Sequence, residues 1–276
     1  MNYEYVRILV YAVFFAILNS LIGLYPLKAQ ELKKTVEIKI KKPLMISIDK
    51  AQSLFVADEK GNINKYDSLG NFILNYSPPK VAEITLLEAW PTVRIFAFYQ
   101  NFQESKLLDR FLNLIADYPV NEHRIGFAQL IAPAGDNNWW ILDNRDFSLK
   151  KYNPQTNELV LHNSLDLILN PENYAINFMR EYQNLLFIND KNSGILVFDN
   201  FGNYKKTLPY LNLNYIGVHE NELVFLKDKS LIFYDLYKNS ERKVSLPSNE
   251  SWLFATTINH KIVALTDSKI VYFEVW

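Results

Sequence analysis

Past residue 35 the chain is a succession of short apolar runs, several alternating with polar residues, cut at close intervals by polar turns. One unit recurs. An apolar strand ends in Asp, a short polar loop follows, and a second strand ends in an aromatic residue followed by Asp or Asn. It reads Phe55-Val56-Ala57-Asp58 with Tyr66-Asp67, Trp140-Ile141-Leu142-Asp143 with Tyr152-Asn153, and Phe187-Ile188-Asn189-Asp190 with Phe198-Asp199. It continues at Phe225-Leu226-Lys227-Asp228 with Tyr234-Asp235, and at Ala264-Leu265-Thr266-Asp267 with Tyr272. A degenerate copy, Phe96-Ala97-Phe98-Tyr99, fills the gap between the first two. The step averages about 42 residues, the length of one four-stranded β-propeller blade. Six such units predict an all-β, six-bladed propeller.

Within the first unit the pattern predicts strands over 44–49, 53–58, 62–67 and 72–76, with Gly70 and Asn71 at a turn that needs positive φ. Residues 165–173 read as a longer connection, and Pro78-Pro79 marks another. The last unit offers only three strands, over 252–258, 261–266 and 270–276. Three strands leave an open edge. Residues 35–41, T-V-E-I-K-I-K, alternate strictly and put Val36, Ile38 and Ile40 on one face. This N-terminal strand is predicted to pair with the last blade and close the ring.

The wording of the first unit, from residue 43 through Phe55-Val56-Ala57-Asp58 to Tyr66-Asp67 and Gly70, resembles an NHL repeat. The fourth unit shares the resemblance, and the others follow it loosely. The resemblance implies a six-bladed propeller, in a family that holds binding scaffolds and a few enzymes. With eight glycines in 276 residues, many turns must be made by Asn and Asp.

Composition narrows the function. The formal net charge of −1 lacks the concentrated basic face that nucleic-acid binding needs, so no nucleic-acid partner is expected. Absence of cysteine excludes disulfides, thiolate metal sites, a Cys nucleophile and a lipidated N-terminal Cys. Residues 8–25 form an apolar run after Arg7, and Leu27-Lys28-Ala29 follows. Residues 1–29 therefore read as a signal peptide or a retained membrane anchor, and residues 30–276 as the propeller. The folded part is expected in the periplasm or otherwise exported, touching a membrane only through an uncleaved N-terminal segment.

Five recurrent aspartates, Asp58, Asp143, Asp190, Asp228 and Asp267, fall on one propeller face. They form either an acidic rim or, the favoured reading, a set of loop supports that accept hydrogen bonds from their own turn amides. The histidines His123, His162, His219 and His260 are not paired at metal-ligand spacing, although His219 and His260 fall on one face. There is no G-x-S-x-G, P-loop or dinucleotide motif. Inner-strand positions such as Ile46, Ile48, Phe178 and Phe254 supply few ligands. No catalytic residue, metal or cofactor is predicted.

Of the adjacent Trp139 and Trp140, one should enter an inter-blade core and the other point away. The irregular second unit replaces the strand-ending Asp with Tyr99-Gln100 and carries a polar-aromatic stretch, residues 100–105, expected as its longest loop. Trp90 and Phe102 are candidate apolar anchors for a partner, with Gln100 and Glu104 at the rim. The predicted function is a non-enzymatic protein-interaction scaffold of the bacterial cell envelope, with a protein partner there. The alternatives are a metal-dependent propeller lactonase or lyase, and a glycan-binding module built on loop aromatics.

Overall fold

A computed structural model describes residues 32–90 and 93–275. The predicted signal or anchor, residues 1–29, lies outside the described residues, as does Trp276. The chain folds into six antiparallel four-stranded sheets arranged as a six-bladed β-propeller.

Blade one contains β2 (Pro43–Ile48), β3 (Leu54–Asp58), β4 (Ile63–Tyr66) and β5 (Phe72–Tyr76). Blade two contains β6 (Leu86–Glu88), β7 (Arg94–Tyr99), β8 (Glu104–Asp109) and β9 (Leu114–Pro119). Blade three is β10 (Ala128–Pro133), β11 (Trp139–Asp143), β12 (Ser148–Asn153) and β13 (Glu158–Ser164). Blade four is β14 (Ile176–Tyr182), β15 (Leu185–Asp190), β16 (Gly194–Asp199) and β17 (Tyr204–Leu208). Blade five is β18 (Gly217–His219), β19 (Glu222–Lys227), β20 (Ser230–Asp235) and β21 (Ser240–Ser245). Blade six takes β22 (Phe254–Ile258), β23 (Lys261–Leu265) and β24 (Lys269–Val275) from the C-terminal end, and β1 (Leu32–Lys39) from the other.

The ring therefore closes as the alternating segment predicts. β1 runs antiparallel to β24, with Val36 opposite Tyr272 and Ile38 opposite Ile270. Val36, Ile38 and Ile40 pack on the core that holds Tyr272 and Ile270. A bulge separates Lys34 from Val36, and there Thr35 donates its hydroxyl hydrogen to the Tyr272 carbonyl at 3.2 Å.

Both faces of each blade's middle strands are covered by neighbouring blades, which explains why these strands read as continuous apolar runs. β3, β11 and β15 show this most clearly: all of β3 and β11 is buried, and so is β15 past Leu185. Trp139 and Trp140 are both buried, on opposite faces of one sheet. Trp139 meets Phe96 and Tyr118 of blade two edge-on, and Trp140 donates its indole N–H to Glu181 of blade four. The expectation that one Trp points away from the core fails because a propeller sheet has no solvent face at its centre. The outermost strands do meet solvent, and they leave Phe72, Ile115 and Val160 exposed.

Turn chemistry is regular. Asp67, Asp109 and Asp199 each accept two backbone N–H bonds from their own turns at 2.8–3.0 Å and one from the Asn four residues on. The residue before that Asn has positive φ: Gly70, Gly202 and, without glycine, Leu112. Elsewhere Asn137, Asn157, Asn184, Asn212, Asn239 and Asn259 take the left-handed conformation, as the shortage of glycine requires.

Meandering strands give the disc two faces. Face one carries the turns from first to second strand and from third to fourth strand of each blade. Face two carries the turns from second to third strand and the connections between blades.

Candidate functional site

Inner strands determine what the central channel can do. Residues at one register level of the six inner strands pair with the middle of each second strand. They are Ser47 opposite Phe55, Glu88 opposite Phe96, Ala132 opposite Trp140, Arg180 opposite Phe187, Gly217 opposite Val224, and Thr256 opposite Val263. Two of the six are large and charged, and three of the others are small. Arg180 and Glu88 join across the channel: Nε donates to Oε2 at 2.6 Å and Nη2 to Oε1 at 3.1 Å. Nη1 donates to the Ile216 carbonyl at 2.8 Å and to the Tyr215 hydroxyl at 3.3 Å. The guanidinium also lies over the Phe178 and Tyr215 rings. Glu88 Oε1 accepts the Trp90 N–H at 2.9 Å and the Ser47 hydroxyl at 3.3 Å. Burial works to lower the Arg180 pKa, but Glu88 and Tyr215 together outweigh it and hold the pKa above its ordinary value. At Gly217 an added Cβ would sit 2.8 Å from Thr256 Oγ1, so this wall of the channel admits no larger residue without rearrangement.

A charge pair satisfied on both sides closes the channel. Glu88, Arg180 and Ser47 lie outside the inner-strand positions that the apolar pattern picks out. The sequence signal is Glu88 at the end of the apolar strand Leu86–Glu88 and Arg180 in Ile176–Tyr182.

A cleft of about 350 Å³ opens on face one between blades two and three. Its floor is aromatic, with Phe96, Tyr118 and Trp139. Lys50, Trp90, Arg94 and Glu181 line it as well. Trp90 packs edge-on against Tyr182 at 5.6 Å, and the Lys50 ammonium lies over its ring. Glu181 accepts the Gly135 N–H at 3.0 Å and the Trp140 indole N–H, which fixes its carboxylate. Asn138 also lines the cleft, and its buried side-chain oxygen has no hydrogen-bond partner among the described residues.

Predicted site residues divide between the two faces. Trp90 belongs to the cleft on face one. Phe102 and Gln100 lie in the β7–β8 turn on face two, separated from Trp90 by the whole of β7, about 20 Å of strand. A single patch holding Trp90, Gln100, Phe102 and Glu104 is therefore not formed. The stretch expected as the longest loop is a tight 3₁₀ turn, Gln100–Phe102, and β8 starts at Glu104. Gln103, at φ 49°, returns its N–H to the Gln100 carbonyl at 3.0 Å and so shortens the connection.

Three of the five aspartates are buried loop supports. Asp58 accepts the Lys60 and Asn62 amides at 2.9 and 3.0 Å. Asp143 accepts the Phe127 and Arg145 amides and pairs with the buried Lys150. Asp190 accepts the Ala175 and Ser193 amides. Asp228 and Asp267 are exposed and sit one residue past the equivalent position. Thr266 does the turn's work in place of Asp267, accepting the Ser268 and Lys269 amides at its hydroxyl. The five carboxylates thus do not form one equivalent ring.

His162 contacts Asp146 at 3.1 Å, and His219 and His260 lie on face one in neighbouring blades. Among the described residues no group of three or more His, Cys, Asp or Glu is placed to hold a metal ion. Among the same residues no helix is long and apolar enough to cross a membrane.

No family model matches the chain, and no curated protein matches it. Solved structures place it among β-propellers. A streptogramin B lyase superposes with a TM-score of 0.63 at 14% identity, over 89% of this chain and 98% of the other. The WD40 domain of Neurospora crassa Pan2 gives 0.61 at 7% identity, over 90% and 97%. BamB from Moraxella catarrhalis gives 0.52 at 9%, over 88% and 100%. At these identities the likeness is one of fold, shared by a lyase and by propellers of other kinds.

Proposed function

We propose that this chain is an exported, NHL-like propeller that holds a protein partner in the bacterial cell envelope and carries out no reaction itself. Residues 1–29 would direct it there as a signal peptide or anchor, and residues 30–276 would form the binding domain. The observation that carries the reading is the cleft between blades two and three. It combines an aromatic floor, a fixed carboxylate and cationic groups, beside a channel whose charged groups already satisfy one another. Buried aromatic pockets rimmed by charge are where partner side chains dock with most energy. Trp90 is the apolar anchor, and Arg94 and Lys50 select for an acidic or carbonyl-rich segment. The polar groups of the channel are committed to Glu88 and Arg180, which weighs against a reaction centred there.

The test is site-specific photocrosslinking in envelope extracts from position 94, with position 239 on a different blade as reference. The partner recovered from position 94 should bind the purified wild-type chain. Trp90→Ala should weaken that binding at least tenfold with its melting temperature unchanged. Equal crosslinks from position 239, or full affinity in Trp90→Ala, would remove the cleft from the proposal.

A further inference from the structure

Blade two departs from its neighbours at one residue, and the departure opens a second pocket. In blades one, three and four the second strand ends in a buried Asp that supports the following turn. In blade two the position is Tyr99, which cannot do this. Gln103 takes over: its side chain donates to the Gln100 and Ala128 carbonyls at 2.9 and 2.8 Å and accepts the Ala128 N–H at 2.9 Å. Tyr99 is thereby released from the turn. Its ring packs 3.2 Å from where a Cβ on Gly61 would lie, and the residue is 1% exposed. Its hydroxyl is buried without a partner among the described residues, and the residue lines a pocket of about 220 Å³ on face two.

The pocket lies between blades one and two and is lined by Pro78, Pro79, Lys80, Phe102 and an ion triad in which the buried Lys106 meets a partly exposed Glu104 and an exposed Asp117. Lys106 donates to Asp117 at 2.5 Å and also to Glu104. Neither carboxylate has another hydrogen-bond partner among the described residues, so each keeps acceptor capacity. Phe102 is 42% exposed, with the Lys80 ammonium 5.8 Å from the centre of its ring. The lining carries two cations and two anions, so it favours neither a strongly charged ligand nor a purely apolar one.

A buried hydroxyl without a partner forfeits the hydrogen bond it makes in water, and a ligand group that pairs with it recovers that loss. The required ligand is neutral, presents closely spaced groups that both donate and accept, and has a C–H face for Phe102. We propose that this pocket binds one pyranose ring, either as a free sugar or as the terminal residue of a glycan. Ring hydroxyls would donate to Glu104 and Asp117, accept from Lys106, and pair with Tyr99, while the ring's C–H face lies on Phe102. Burial, with help from Tyr76, Glu104 and Asp117, holds the Tyr99 pKa above its ordinary value, so the hydroxyl keeps its proton and can act both ways.

The test uses the full chain and a panel of methyl glycosides of glucose, galactose, mannose and N-acetylglucosamine. Binding is read by saturation-transfer NMR and calorimetry. At least one glycoside should bind saturably. Tyr99→Phe should weaken it about tenfold or more while leaving the melting temperature unchanged or raised, because it removes only the unpaired hydroxyl. Phe102→Ala should weaken it similarly, and Phe111→Ala, on face one, should not. Oligosaccharides ending in the preferred sugar separate the two sources: tighter binding than the methyl glycoside marks a glycan end, and equal binding marks a free sugar. Saturable binding of no glycoside, or wild-type affinity in both Tyr99→Phe and Phe102→Ala, would overturn the proposal.

Discussion

Replacing Arg180 by Met leaves the Glu88 carboxylate buried in the channel without its cation. Glu88 would keep only the Trp90 N–H and the Ser47 hydroxyl, and would lose two charge-assisted bonds of 2.6 and 3.1 Å. Uncompensated buried charges of this kind cost about 3–5 kcal/mol. Residual donors place Arg180→Met toward the lower end, near 3 kcal/mol. Glu88→Gln leaves the guanidinium its carbonyl at Ile216, the Tyr215 hydroxyl and two aromatic faces, and should cost a similar or smaller amount. In the double variant neither charge remains, so its loss should fall short of the sum of the singles by about 2 kcal/mol or more. Urea unfolding of the four proteins, with linear extrapolation, gives the cycle directly. A cost below about 1 kcal/mol for Arg180→Met, or strict additivity, would refute the pair as the lock of the channel.

Deleting residues 30–42 should expose the edge of β24 and destabilise the whole ring, seen as one lowered melting transition; an unchanged transition would show that β1 contributes nothing. Hydrogen bonds from their own turns hold Asp67, Asp109 and Asp199 below the usual carboxylate range, against the effect of what burial they have. A depressed folded pKa stabilises the protein above the unfolded value of about 3.9 and loses that contribution as pH falls through the folded pKa. The gap in melting temperature between the wild type and the triple Asp→Asn variant should therefore narrow from pH 6 to pH 3, and a constant gap would contradict the assignment.

The backbone plan was legible because each blade repeats a local rule. Alternation in residues 35–41 gave the closing strand, and the Asp-ended apolar runs gave the second strands. The sites were less legible, for reasons of register. Bulges separate Pro43 from Met45, Ala128 from Leu130, and Ile176 from Phe178. In blade one the bulge shifts the alternation by one, so counting by twos along the inner strand selects Ile46 and Ile48 rather than Ser47, whereas Arg180 keeps the parity of Phe178 and lies one step past it. Glu88 and Arg180 lie 92 residues apart, and only the closed ring brings them together. Trp90 and Phe102 are near in sequence, yet an intervening strand sends them to opposite faces. Tyr99 was visible as a break in the repeat, but its unpaired hydroxyl depends on Gln103 having taken over the turn.

The two-ended blade has a consequence for synthesis. Thr35 is bonded to a residue 237 positions later in the chain, so the first strand leaves the ribosome long before its partner exists. At about 5–20 residues per second that wait is roughly 10–50 s. Throughout it the growing ring presents bare strand edges, which suit a chaperone that holds extended chain and attract proteases. Completion of β24 ends this exposure in one step. The closing strand thus works as a length gauge: any product that stops short of residue 269 leaves β1 without its partner strand and the ring with an open edge.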